Sequence, residues 1–568
     1  MSTILSKNLQ SNKKFIEDRH IVYIVGGLIG VFLLIFLALP VLNIVRLSFT
    51  EYAPKQFEFT GKLTTKNFTD YFSNPNMVQS LLNSLWIAVW SMLFTTVFAF
   101  IFAYGLTRTT IRWKKSLYYI AMIPLVAPSM LQAMALISLF GSNGLITSGL
   151  FHTDWNIYGP NGIIVSEVLY CFPHAMVILY TTLSAVDSRL DEAAASLGAS
   201  GWTSFFKITI PTARYGIFSA AALVFNLAIT DFGNPIIIGR GYKVLSTEIY
   251  LQVIGMQRFD LGTTVAVILM VPSITAFLLN YYFTKKSASM ISSLANPTIP
   301  PSRPAKKWFF TIFSWTVAFI LFSIVGIIVY KSFVKVWMYN WAPTLDHYNF
   351  RIPGGLSVLW TSLWISLAVG FLGAFLTMLN GYIIEKKNPF FAQPLYLFSI
   401  IPAAIPGLVM GLGYILIFNT RFMNLDDILY GMPLLIVINV LVSNFTLGTL
   451  SSITNMKNID NSMDEAATSL GAGITNTFIK VIFPLSRVSF MSNLIYYFMR
   501  SMVTVSAVIF LISPDVHLAA VSVINLEKDG KDGSSAAMST LIMLVVIVVL
   551  AVFGFFTRKK KDVIVIEE

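Results

Sequence analysis

Two stretches of this chain place charged residues at a spacing that recurs. Residues 191–211 read DEAAASLGASGWTSFFKITIP and residues 464–484 read DEAATSLGAGITNTFIKVIFP. They align at an offset of 273 without a gap, and eleven of the 21 positions are identical. Asp and Glu suit a helix N-terminus, where the macrodipole is positive, and alanine is the best helix former. Gly198 and Gly471 permit a left-handed turn at the end of that helix. Pro211 and Pro484 suit the first turn of a following helix. The chemistry this pattern supports is recognition: an exposed, acid-led helix, a sharp turn and a second helix.

Groups for covalent or metal chemistry are sparse. Cys171 is the single cysteine and sits in an apolar run, which excludes a disulfide framework and a Cys-based metal site. The histidines, His20, His152, His174, His347 and His517, are scattered, with no HxxxH spacing. Gly530-Lys531 is followed by Asp532 and lacks the upstream glycine of a phosphate loop. No catalytic residue and no metal ligand set is therefore expected. Ionisable residues within apolar runs are the remaining candidates, because such groups are costly and face a cavity or a partner. They are Asp231, Glu167 and Arg500. Asp231 and Arg500 would line a translocation pathway, either as an ion pair or gate, or with Arg500 meeting an anionic solute through its guanidinium fork. Capping or a water boundary accounts equally for Asp231, and snorkelling or bonds to carbonyls for Arg500. Glu167 and His174 read as structural polar contacts.

The elements that carry these residues follow from composition. Of 568 residues, 56% are hydrophobic and 12% charged, about half the charge of an ordinary soluble domain. Mean hydropathy is +0.72. This excludes a soluble enzyme and a disordered chain and leaves an all-α polytopic membrane protein. Twelve apolar runs are long enough to cross a bilayer: 21–49, 80–107, 116–140, 160–186, 215–238, 260–284, 308–331, 357–384, 391–419, 429–455, 489–513 and 535–557. With the N-terminus in the cytoplasm, 25 of the 39 Lys and Arg fall on cytoplasmic segments and 13 outside. That bias favours cytoplasmic N- and C-termini, and it assigns the net charge of +12 to topology rather than to nucleic acid. Trp155, Tyr158, Trp337 and Trp341, near span ends, suit interfacial anchors.

Shorter matches recur at an offset of 278. Ser84-Leu85-Trp86-Ile87 aligns with Ser362-Leu363-Trp364-Ile365, and Ile123-Pro124 with Pro128 aligns with Ile401-Pro402 with Pro406. Each alone is no more than hydrophobic sequence yields by chance; the long polar repeat is not. The chain thus divides into a cytoplasmic N-terminus 1–20, a first six-span half 21–284 with its loop 187–214, and a linker 285–307 rich in Ser, Pro and Lys. A second half 308–557 with its loop 456–488 and a cytoplasmic tail 558–568 follow. The prolines break helices in the third and ninth spans, as hinges or as fixed kinks, and small residues beside them allow close helix approach.

The repeated loop, E-A-A with Gly six and Pro nineteen residues after the Glu, resembles the EAA loop of ATP-binding-cassette importer permeases. Two fused halves resemble the type I permeases for ferric iron and 2-aminoethylphosphonate, with support from Asp231-Phe232-Gly233-Asn234-Pro235, Leu245 to Tyr250, Met499 to Met502 and Ser506 to Leu511. The resemblance implies that Asp191, Glu192, Ala193, Ala194 and Gly198, with Asp464, Glu465, Ala466, Ala467 and Gly471, dock on an ATPase. It implies two copies of a separate ATPase subunit holding ATP and Mg, an extracytoplasmic solute-binding protein, a cell-membrane location, and no cofactor in this chain. Alternating access driven by ATP would then pass a small solute inward. Arg500 tips the solute toward a phosphonate-like anion, with ferric iron almost level. The competing reading is an ion-gradient-driven secondary transporter with two parallel repeats, which leaves both loops unexplained.

Overall fold

The structure is a computed structural model. It describes residues 20–290, 304–419 and 431–558, apart from 54–57, 154, 188, 190–192, 195 and 515. The N-terminal segment 1–19, the core of the linker at 291–303, Asp191, Glu192 and the tail from 559 lie outside the described residues.

The protein is an all-α, multi-pass membrane protein with two six-span repeats. Among the described residues nine helices are long and apolar enough to cross a bilayer, and three bent pairs, each counted as one span, bring the number to as many as twelve. The first span runs His20–Ser48, the second Pro75–Arg108, the fourth Pro160–Ser184, the sixth Phe259–Ser287 and the seventh Pro304–Ser332. Helical length follows from the apolar runs, since lipid leaves a backbone no partner but itself. Two short antiparallel hairpins follow the first and seventh spans, Thr50–Ala53 with Glu58–Leu63 and Val334–Val336 with Asn340–Pro343.

The proline strings act as expected on the backbone. A tight turn over Ile123–Val126 and an extended Ala127 separate helices Lys114–Met122 and Met130–Phe140. In the second repeat Ile401–Ala404 and an extended Ile405 precede Gly407–Phe418, and the two arms of that span meet at 106°. Pro124 and Pro402 each sit at the start of the tight turn, where a missing N–H costs nothing.

The fifth and eleventh spans end earlier than hydropathy predicts. The fifth runs Gly201–Thr230 and stops at Asp231, whose ψ of 138° is extended. Its counterpart Thr504 ends helix Arg487–Val503 at the same ψ of 138°. The apolar residues beyond, 232–238 and 505–513, form a short helix and turns rather than more span. Hydropathy cannot see this break, because the sequence stays apolar through it.

The chain folds into two compact units that interleave along the sequence. One comprises Met1–Asn43, Leu356–Ala519 and Leu544–Glu568. In it the first span packs on the second repeat: the Tyr414 hydroxyl donates to the Phe36 carbonyl at 2.6 Å, and the Phe36 and Phe418 rings stack at 5.6 Å. The other comprises Ile44–Gly355 and Ala520–Met543. In it the seventh span packs on the first repeat, with Lys306 donating to the Tyr104 hydroxyl at 2.8 Å. The opening span of each repeat is thus housed with the core of the other.

Candidate functional site

Among the described residues the two repeated loops share one closing turn. Helix Asn461–Ser469 begins at Asp460, whose side chain accepts from the Ser462 amide at 2.9 Å. Those bonds from Ser462 hold the Asp460 carboxyl below its ordinary range. Asp464 lies in the first turn, as the macrodipole favours. Glu465 and Ala466 face outward and Ala467 is buried. The helix closes with the Ala472 amide on the Ala467 carbonyl at 3.0 Å, and Gly471 adopts φ +79°. In the first repeat the Ala199 amide bonds the Ala194 carbonyl at 2.9 Å, and Gly198 adopts φ +78°. Both are closures in which glycine takes the left-handed position. Ala193 is exposed and Ala194 half-buried.

Each turn presents one large apolar side chain. Leu197 is 89% and Leu470 88% exposed. A leucine so fully exposed at the same place in both repeats contributes little buried surface to either fold.

What anchors the loops is a set of residues that the motif does not contain. Arg108, at the end of the second span, donates through Nη2 to the Val186 carbonyl at 2.6 Å, at the entry to the first loop. Its repeat counterpart Lys386 donates to the Ile459 carbonyl, at the entry to the second. Tyr104 packs on Phe205 at 5.5 Å between ring centroids, and Tyr382 on Phe478 at 5.2 Å. These correspondences obey the offsets 278 and 273 throughout. That agreement is the signal from which the anchors could have been found.

The intramembrane candidates are placed as follows. Asp231 caps the short helix Gly233–Ile238, its Oδ2 accepting the Asn234 amide at 2.8 Å. Asn234 Nδ2 in turn donates to Glu167 Oε1 at 3.2 Å, and Cys171 Sγ lies 3.9 Å from Glu167 Oε2. Glu167, Cys171 and Asn234 are fully buried. His174 packs beside the Tyr170 ring at 5.7 Å. This group ties the fourth span to the break after the fifth. In the second repeat Asn439 Nδ2 donates to the Ala507 carbonyl at 2.6 Å and makes the same tie. Arg500 is half-buried, and its Nε donates to Asn444 Oδ1 at 3.4 Å, an oxygen that also accepts from the Tyr496 hydroxyl at 3.2 Å. Asp231 and Arg500 belong to different compact units, and each is engaged within its own.

The breaks meet tightly packed glycines. A Cβ on Gly233 would lie 2.3 Å from Ser129 Oγ, and one on Gly407 would lie 2.9 Å from Ser506 Oγ. Ser129 and Gly407 correspond at offset 278, and Gly233 and Ser506 at 273. In both repeats the proline break of one span therefore abuts the break of another.

Comparison with known proteins supplies the family. Residues 95–336 and 377–562 match the model described as "Binding-protein-dependent transport system inner membrane component". The chain is 28% identical over 428 residues to the ferric transport system permease protein FbpB of Actinobacillus pleuropneumoniae, covering 73% of this chain and 61% of that one. It is 27% identical over 412 residues to a putative ferric transport system permease protein of Haemophilus influenzae, covering 70% and 64%. The thiamine transport system permease protein ThiP of Salmonella typhimurium is 25% identical over 332 residues, covering 55% and 59%. The chain thus spans about three fifths of the length of these relatives. With the family model matching in two segments that together cover more than half of the chain, this chain belongs to the binding-protein-dependent transport system inner membrane components, the permease subunits of ABC transporters.

Proposed function

We propose that this protein is the translocation subunit of an ATP-driven importer that moves ferric iron inward by alternating access. The observation that carries this reading is the pair of loops with one geometry, each ending on a left-handed glycine beside a protruding leucine. Two equivalent docking elements fit two copies of one ATPase subunit, which would hold ATP and Mg. The loops face the cytoplasm, as do both termini, in keeping with the Lys and Arg bias. The family description names dependence on a binding protein, which would deliver the solute from the opposite side. No covalent chemistry is assigned to this chain.

Ferric iron is favoured over a phosphonate-like anion because two relatives that match 73% and 70% of this chain are ferric transport permeases. Arg500, the residue that argued for an anion, is bonded to Asn444 in a polar pair within its own unit.

The test is uptake in cells carrying this chain with its ATPase and binding protein, compared with Glu192→Ala/Glu465→Ala. Ferric iron and 2-aminoethylphosphonate are offered separately, with and without ATP depletion. ATP-dependent ferric uptake that falls in the double variant supports the proposal. Uptake that survives ATP depletion and collapses with the ion gradient would reject it in favour of secondary transport. Uptake of the phosphonate alone would leave the importer standing and replace its substrate.

A further inference from the structure

The second loop is held by an ionic contact that the repeat pattern does not account for. Lys387, the last residue of the eighth span Ser357–Lys387, places Nζ 2.6 Å from Asp464 Oδ2. Both side chains are only 16% exposed. The Tyr382 hydroxyl donates to Asp464 Oδ1 at 3.2 Å, so both carboxylate oxygens are bound from the end of one span. The Lys387 ammonium also lies 5.3 Å from the centre of the Tyr382 ring. That ring joins a buried cluster with Met378, Met456, Phe478, Ile482 and Phe490, which carries the contact into the second helix of the loop.

The first repeat keeps the tyrosine and lacks the cation. The residue equivalent to Lys387 is Thr109, a buried side chain whose hydroxyl donates to the Gly105 carbonyl of its own helix at 2.6 Å. The two loops therefore share a closing turn, an aromatic contact and a basic grip on the entry carbonyl, and they differ at the position of Lys387, where the first repeat has threonine.

We propose that Lys387 and Tyr382 are positioning residues: through Asp464 they clamp the acid-led helix Asn461–Ser469 to the eighth span, fixing the angle at which Glu465 and Leu470 meet an ATPase subunit. The clamp gives the second loop a rigid link from docking surface to membrane span, through a lysine in whose place the first repeat has Thr109. An ion pair held at low exposure beside an aromatic ring is screened less than a surface pair, so the link persists at physiological salt. This rests on the docking role proposed above for both loops.

The experiment uses the full chain in detergent with its purified ATPase subunit. Hydrogen–deuterium exchange over residues 461–469 reads the clamp, and ATPase affinity reads its consequence. Lys387→Met and Asp464→Asn are expected to speed exchange there and to weaken ATPase binding about fivefold to tenfold, the scale of a half-buried ion pair. Tyr382→Phe keeps the ring and removes one bond, so its effect is about twofold. The charge-swapped pair Lys387→Asp/Asp464→Lys is expected to recover most of the affinity, which no general loss of folding would allow. Thr109→Ala leaves affinity unchanged. Unaltered exchange in Lys387→Met, or faster exchange with full affinity, overturns the clamp. Glu465→Ala separates the two claims. If it weakens binding while Lys387→Met does not, only the clamp falls; if both variants bind the ATPase as tightly as wild type, the docking role falls with it.

Discussion

Glu167 and Asn234, 67 residues apart in the chain and both fully buried, are joined by a 3.2 Å hydrogen bond from the amide to the carboxyl. The bond crosses from the first third of the fourth span to the short helix that follows the fifth. It fixes the place where the apolar chain leaves its helix, and Asp231 caps the new start three residues earlier.

Replacing Glu167 with leucine strands the buried Asn234 amide, at a cost of about 1–3 kcal/mol. Glu167→Gln keeps an acceptor for Asn234 and an amide that can donate toward Asp231. Thermal unfolding of the purified chain should show a clear loss for leucine and little for glutamine. Equal losses would mean that packing volume, not the hydrogen bond, sets the cost.

Ser84 and Ser362 perform one task in the two repeats. Ser84 Oγ accepts the Leu245 amide at 2.7 Å, and Ser362 Oγ accepts the Ala519 amide at 2.8 Å. Each caps the first turn of a short helix, Leu245–Tyr250 or Ala519–Lys528. Ser84→Ala and Ser362→Ala should each destabilise by about 1–2 kcal/mol, as lost N-caps do. The double variant should lose the sum, because distant sites without shared partners add. A strongly sub-additive result would show that the two caps are coupled.

Gly198 and Gly471 hold left-handed backbone with open space where a Cβ would go. Alanine there is penalised by conformation alone, about 1–2 kcal/mol. Gly471→Ala and Gly198→Ala should reduce co-purification of the ATPase, and Gly→Asn should do so less, since asparagine tolerates this region. Identical losses for alanine and asparagine would point to contact with the partner instead of turn geometry.

Glu527, on the helix Ala519–Lys528 outside the apolar spans, is pushed up to about 7 from 4.5 by burial. Lys331 opposes that rise and Asp532 adds to it, while Ser535 opposes it by hydrogen bonding. Lys331 is itself buried, bonded to Ser138 at 3.2 Å and 3.5 Å from Asp532. A carboxyl raised in the folded state contributes stability below its unfolded value that is lost as pH rises through the folded one. Stability should therefore fall as pH rises from about 4.5 through about 7, by no more than about 3.5 kcal/mol. Melting of wild type and Glu527→Gln across that window checks this, and the glutamine variant should show a flatter profile. A parallel decline in both would assign the pH dependence to other groups.

The span count, the two repeats and the left-handed glycines were legible in the sequence because each is written locally. Apolar length marks a helix in lipid, an ungapped polar repeat marks duplication, and glycine six residues after Glu192 and Glu465 marks a turn. The short Ser84 and Ser362 match carried more than its length suggested, since the hydroxyl's partner lies far along the chain. Tertiary structure alone decided the early ends of the fifth and eleventh spans, where hydropathy does not change but Asp231 and Thr504 turn the backbone. It also decided which core houses each repeat's opening span, and that Lys387 reaches Asp464. Periodicity and propensity report what a segment does by itself. Pairing across 77 residues depends on which helices pack together, and that is a property of the folded whole.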